Sequence, residues 1–153
     1  MGAFEVDSSM FPLVITRLTD ACSARDIDRV VIDFEALLNR RQPYVLVTYP
    51  LAGVPLPDAV CRKNLTEWWR LRAEEIREYN LGSATVLDRA LHRGAMTAFY
   101  WLIEPPSPQY AARDLGDAID WCFKLLHDEC LDITPAMLSY RHQLEAHAQS
   151  HVG

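Results

Sequence analysis

Cys61 is the residue whose surroundings in the sequence most favour chemistry. It falls at the start of a predicted helix and is followed by Arg62 and Lys63. A helix N-terminus and two cations both favour a thiolate, so this spacing predicts a lowered pKa and a nucleophilic sulfur. A cysteine enzyme also needs a base, and no histidine stands within local reach; folding would have to bring His92 to it. His147 and His151 are four residues apart and share one face of a terminal helix, as a pair of metal ligands would. No Glu stands between them in a His-Glu-x-x-His arrangement, so solvated tail histidines are the plainer reading. His127, beside Asp128 and near Cys130, sits where a helix C-terminus favours a cation in any case. Arg89, His92 and Arg93 cluster at the start of another helix, where a phosphate or acidic partner would find cations and free amides together; solvated charges explain the same pattern.

Other catalytic signatures are missing from the sequence. It contains no Gly-x-Ser-x-Gly elbow, no Gly-x-Gly-x-x-Gly turn and no Gly-Lys-Ser/Thr loop, and its six glycines are scattered. A nucleotide site would lack the bare backbone it needs. Cys22, Cys61, Cys122 and Cys130 are irregularly spaced with no Cys-x-x-Cys pair, unlike zinc or dithiol motifs. They predict reduced, structural thiols in a cytoplasmic protein. No catalytic residue, metal or cofactor is assigned, and a Cys61-dependent enzyme remains only as a third reading.

The aromatic residues point to recognition. Trp68, Trp69, Tyr100, Trp101 and Trp121 are many large rings for one small core. Neighbours on a helix point about 100° apart, so one of each pair Trp68-Trp69 and Tyr100-Trp101 tends toward the rim. Half-exposed Trp and Tyr anchor protein interfaces. The expectation is a non-enzymatic protein-binding module that contacts its partner through Trp68, Trp69, Trp101 and Arg93 and the proline-rich loop Pro50 to Pro57. The alternative is a small-molecule or lipid-binding domain, with an apolar pocket between the sheet edge and two helices, lined by Trp69, Phe99 and Leu102.

Charge narrows the partner. The 153 residues include 15 Lys+Arg and 21 Asp+Glu, a formal charge of −6. That argues against nucleic acid held by phosphate contacts and would steer the chain toward a basic protein surface. With 50% hydrophobic and 24% charged residues, the composition is that of a folded domain. No apolar run approaches the roughly 20 residues that span a bilayer, so no membrane span is predicted. The first residues lack the basic-then-apolar order of a secretion signal, and Val6 stands where a myristoylation motif wants Ser or Thr.

The elements that must position these residues follow from pattern. Pro12 to Leu18 and Tyr44 to Tyr49 read as β-branched, buried strands. Between them, Ser23 caps a helix whose Ile27, Val30, Val31, Phe34 and Leu38 share one face. A second helix is predicted from Pro57 or Asp58 to Tyr79, ended by Asn80 and Gly82 in left-handed conformations. Ala84 to Leu87 is a short strand. A third helix from Ala90 to Ile103 presents Gly94, Ala95 and Ala98 to an approaching backbone, with Phe99 and Leu102 on the same side. Tyr110 to Arg113 is a weak strand, and Asp114 caps a helix carrying Ala118, Ile119, Cys122, Leu125 and Leu126. Thr134-Pro135 opens a last helix. Alternation of strands and helices predicts an α/β fold: a four-stranded, mixed or mostly parallel sheet, about four covering helices and an additional C-terminal helix. The division is a domain over 1–132 and a helical extension over 133–153. Met137, Leu138, Tyr140 and Leu144 on that extension make a homodimer through it the expectation.

Phe4-Glu5-Val6-Asp7 before Pro12-Leu13-Val14-Ile15, the Tyr44-Val45-Leu46-Val47 strand, Ala98-Phe99-Tyr100-Trp101-Leu102 and the Asp117-Ala118-Ile119-Asp120-Trp121-Cys122 helix together resemble the SpoIIAA-like group of the STAS superfamily. These are small four-strand, four-helix modules best known from an anti-sigma-factor antagonist. The resemblance spans residues 4 to 130 and implies a bacterial, regulatory protein-binding role. The acidic, aromatic-rich module would equally serve as the immunity partner of a basic toxin, and the sequence does not separate the two. The phosphoregulated members carry an acidic residue, a Ser and a nearby Gly at the turn after a central strand. The matching turn here, Thr48 to Asp58, has prolines and only the hydroxyls of Thr48 and Tyr49. A phosphorylation switch of that kind is not implied.

Overall fold

The computed structural model describes residues 2–150, with side chains through residue 148. Its five strands are β1 (Phe4–Asp7), β2 (Leu13–Leu18), β3 (Tyr44–Pro50), β4 (Asn80–Val86) and β5 (Gln109–Ala112). They form one sheet in chain order, with β1 antiparallel to β2 and all other neighbours parallel. The helices are α1 (Ala24–Asn39), α2 (Ala59–Leu71), α3 (Ala73–Tyr79), α4 (Ala90–Ile103), α5 (Leu115–Asp128) and α6 (Pro135–Ser150). The mixed α/β sheet agrees with the sequence reading, but has a fifth strand. Phe4 to Asp7 is too short to announce itself; it is held as an edge strand by pairing with Ile15 to Leu18.

The strand order dictates the layers. Right-handed crossovers between consecutive parallel strands deposit every connecting helix on one face of the sheet. Hence α1 to α4 cover one face, and α5, which follows the last strand, turns back over the other. On the α5 face, Leu13, Ile15, Val45, Val47 and Ala84 pack with Ala118, Ile119, Cys122 and Leu126 in a closed core. Gly82 belongs to this face. A Cβ there would stand 2.5 Å from Leu125 Cδ1 and 2.6 Å from Trp121 Cη2, while Trp121 stacks on Tyr110 with centroids 5.3 Å apart. Asn80 does end α3 as its C-cap, its amide donating to the Ile76 carbonyl, but it is extended (φ −82°, ψ 106°) rather than left-handed, and Gly82 is not left-handed either. They are extended residues of β4, and the glycine is there to admit a ring.

Local signals account for most helix boundaries. Ser23 and Asp26 form a reciprocal capping box on α1; Asp58 accepts from the Cys61 amide at 2.9 Å and Asp114 from the Asp117 amide at 2.8 Å. The single helix predicted to Tyr79 is instead two, broken at Arg72 (φ −112°, ψ 22°). Arg72 pairs there with Glu35 at 3.1 Å and Glu75 at 3.5 Å, and the kink turns Ile76 and Tyr79 into the core with Val14, Leu37, Leu38 and Tyr44. The C-terminal helix α6 buries Met137 and Leu144 in the same core as α5. Tyr140 donates its hydroxyl to Asp7 of β1, and Arg141 pairs with Asp120 of α5. The apolar side chains that suggested a dimer through this helix are thus used within the chain, apart from the half-exposed Leu138.

Candidate functional site

The face under α1 to α4 is not closed. In β2, β3 and β4 the side chains of Thr16, Thr48 and Thr85 occupy equivalent positions: Thr16 pairs with Thr48, and Thr48 with Thr85. Because side chains alternate along a strand, these three hydroxyls stand on the face opposite Ile15, Val47 and Ala84. Above them α4 contributes no fully buried residue; it stands off from the sheet and leaves a cavity of about 180 Å³. Its walls are Leu18 and Leu46 of the sheet, Val30 and Phe34 of α1, Leu65, Trp68 and Trp69 of α2, and Met96, Phe99 and Tyr100 of α4. Leu56 and Pro57 of the proline-rich loop border it, and Arg62 ties that loop to α2 by donating to the Pro57 carbonyl at 2.7 Å.

The polar groups at the cavity are unequal in their bonding. Asn80 Nδ2 donates to Ser83 Oγ at 3.1 Å, and Gln109 Nε2 reaches Ser107 Oγ at 3.3 Å. Burial pushes the Tyr44 phenol up, countered by its contact with Asn80. Burial pushes Tyr100 up likewise, and Thr85 beside it works the other way. Thr16 Oγ1, in contrast, is sealed from solvent and has no hydrogen-bond partner among the described residues. A buried hydroxyl left unbonded is costly, so its position against a cavity is informative.

The residues singled out from sequence separate into three groups. Trp69 and Phe99 line the cavity, and so does Trp68, whose indole N–H donates to Glu35 Oε1 at 2.7 Å while its ring packs on Phe34 at 5.8 Å. Both tryptophans of that pair are half-buried, Trp68 held by α1 and Trp69 packed on the core around Val14, Leu37, Leu38 and Tyr44. Leu102 does not line the cavity: it is 83% exposed, beside Trp101 at 82%. The inward face of α4 is Met96, Phe99 and Tyr100, not the small residues; a Cβ on Gly94 would touch nothing within 4 Å. Long side chains reach across the gap that a close-packed helix would not have left. Arg93 donates from Nη1 to the carbonyls of Leu87 and Asp88, at 2.8 and 2.9 Å, and so clamps the loop before α4.

Cys61 is buried, and its sulfur lies 3.3 Å from that of Cys22. Burial pushes the Cys61 thiol up rather than down, and the neighbouring Asp58 carboxylate adds to the rise while the contact with Cys22 opposes it. Cys22 is pushed up to about 12, chiefly by burial and its contact with Cys61. No histidine is recorded as a partner of Cys61 among the described residues. His151 lies outside the described residues. Among those described, no three His, Cys, Asp or Glu side chains gather as metal ligands, and no helix is long and apolar enough to cross a membrane.

No family model and no curated protein matches the chain. Among solved structures it resembles that of an uncharacterized protein of the DUF3478 family from Shewanella loihica PV-4, described as having a SpoIIAA-like fold. The TM-score is 0.52 at 18% identity, covering 78% of this chain and 92% of that one. At that identity the likeness shows the fold, which is SpoIIAA-like.

Proposed function

We propose that this domain binds a small, largely apolar molecule in the cavity between α4 and the sheet, and that it works by binding rather than by catalysis. The observation that carries this is the cavity itself. It has apolar walls on three helices, and its volume of about 180 Å³ is similar to that of cavities that take up a single benzene ring. A non-catalytic role is supported by Cys61, whose thiol is pushed up and whose sulfur partner is a second cysteine. Toluene titrated into the protein tests the proposal. At ten times its Kd it should raise Tm by roughly 3–6 °C, and Leu65→Trp, which fills the space, should abolish the shift. A Tm that toluene leaves unmoved sinks it.

A second reading, docking of a protein with a basic surface, rests on the outer side of α4. Leu91, Trp101 and Leu102 are each more than 80% exposed there, an unusual concentration of apolar surface on one helix, and the net charge of −6 favours a basic partner. In this reading Trp101→Ala breaks the complex while toluene binding persists. Once a partner is in hand, unchanged affinity with Trp101→Ala would dismiss it.

A further inference from the structure

From the row of threonines we infer the class of ligand: a neutral, ring-sized molecule that carries one hydroxyl or carbonyl oxygen, seated on Thr16 and Thr48. This rests on the cavity reading above and adds the chemistry of its floor. Like side chains on adjacent strands repeat at about 4.8 Å. An oxygen placed over the midpoint of two such hydroxyls, and slightly above them, lies about 2.8 Å from each, an ordinary O–H···O distance. Thr16 and Thr48 therefore form a seat for one oxygen, which the sealed Thr16 hydroxyl reaches by turning about its Cα–Cβ bond, whereas Thr85 already meets the Tyr100 phenol. Other polar side chains at the cavity already meet one another: Asn80 meets Ser83 and the Tyr44 phenol, Gln109 meets Ser107, and the Tyr100 phenol meets Thr85. Thr16 is the hydroxyl still in want of a partner among the described residues.

Charge is excluded by the same walls. Arg62 is the one ionic side chain along the described lining; it is exposed and its Nη1 is engaged with the Pro57 carbonyl. A carboxylate or ammonium pushed against the threonines would be buried without a counter-ion, which is far costlier than burying a hydroxyl that finds two partners. The apolar walls hold the ring, and the row of hydroxyls holds its single polar atom and fixes which way round it lies.

The test compares toluene with p-cresol, which adds one hydroxyl to the same ring, by calorimetric titration of wild type, Thr16→Val and Thr48→Val. Valine keeps the shape and removes the hydroxyl. The wild type should bind both ligands, and at least one variant should weaken p-cresol about 3- to 10-fold while leaving toluene within about twofold. Toluene bound with p-cresol rejected, or p-cresol affinity that both variants leave unchanged, overturns the inference and spares the cavity reading. Equal weakening of both ligands also overturns it, since the change would then be one of shape. Failure of toluene to bind wild type removes both readings together.

Discussion

Glu35 holds the inner wall of the cavity in place, and its removal has a calculable effect. Its carboxylate accepts from the Trp68 indole at 2.7 Å and pairs with Arg72 at 3.1 Å. In Glu35→Ala the half-buried indole N–H loses a charge-assisted bond, a loss of about 1–2 kcal/mol. The Arg72 pair is about a third exposed on both sides (29% and 34%) and Arg72 keeps Glu75, so its share after solvent screening is below about 1 kcal/mol. The expected destabilisation is about 1–3 kcal/mol, read in urea as a midpoint lowered by roughly 1 M at an ordinary slope. Glu35→Gln keeps an acceptor for the indole and gives up only the charge, so it should lose less than half as much. With Trp68 freed, toluene affinity should fall as well in Glu35→Ala and much less in Glu35→Gln. Two variants with the same midpoint, or an alanine variant as stable as wild type, would show that this carboxylate does not organise the wall.

Gly82→Ala should lower stability by about 1–3 kcal/mol by forcing Trp121 and Leu125 outward, yet leave toluene binding intact because the cavity is on the other face; thermal melts and titration check both halves. Alkylation mapped by mass spectrometry should modify exposed Cys130 first and buried Cys61 and Cys122 last, with the rate at Cys22 still climbing above pH 10 because its thiol sits near 12. At Asp7, burial works to raise the carboxyl pKa but is outweighed by hydrogen bonds from Tyr140 and Ser9, and the result lies below 3.8. A carboxyl depressed on folding adds stability above its unfolded pKa that disappears as pH falls through its folded one. Tyr140→Phe should therefore lose stability at pH 7 and show a shallower fall than wild type below pH 4, in denaturation curves at stepped pH.

Segments carrying their own local chemistry were legible from the residues alone. The Ser23–Asp26 box, the Asp114 cap, the Thr134-Pro135 start and the β-branched runs of β2 and β3 each act within a few residues, and each stands where the pattern put it. What required the fold was anything settled across distance. At the break, Arg72 pairs with Glu35 from another helix, a contact no local pattern announces. The need for glycine at position 82 comes from Trp121 and Leu125 of α5, which leave no room for a Cβ. On α4 the small residues misled, because a helix that stands away from its sheet reverses the usual rule that small faces go inward. Of the candidate site, Trp69 and Phe99 were visible as large apolar side chains on the right helices, whereas Leu102 followed the wrong face. The threonines carried a signal that could have been used, since each sits in the same phase of its strand; only the register of pairing turns that coincidence into a row.

The alternation along β2 to β4 means that each strand encodes two messages in interleaved letters. Leu13, Ile15, Val45, Val47 and Ala84 are read by α5, and Val14, Thr16, Leu46, Thr48 and Thr85 by the helices opposite. Point changes in the second set can retune specificity while the first stays fixed. Insertion of one residue near the start of any of these strands does something different: it exchanges the two texts downstream, setting threonine hydroxyls under α5 and aliphatic groups on the cavity floor. Descendants of this sequence are therefore free to drift at alternate letters, and can gain a single one only where a bulge absorbs it, as Leu81 is absorbed opposite Tyr44 and Val45.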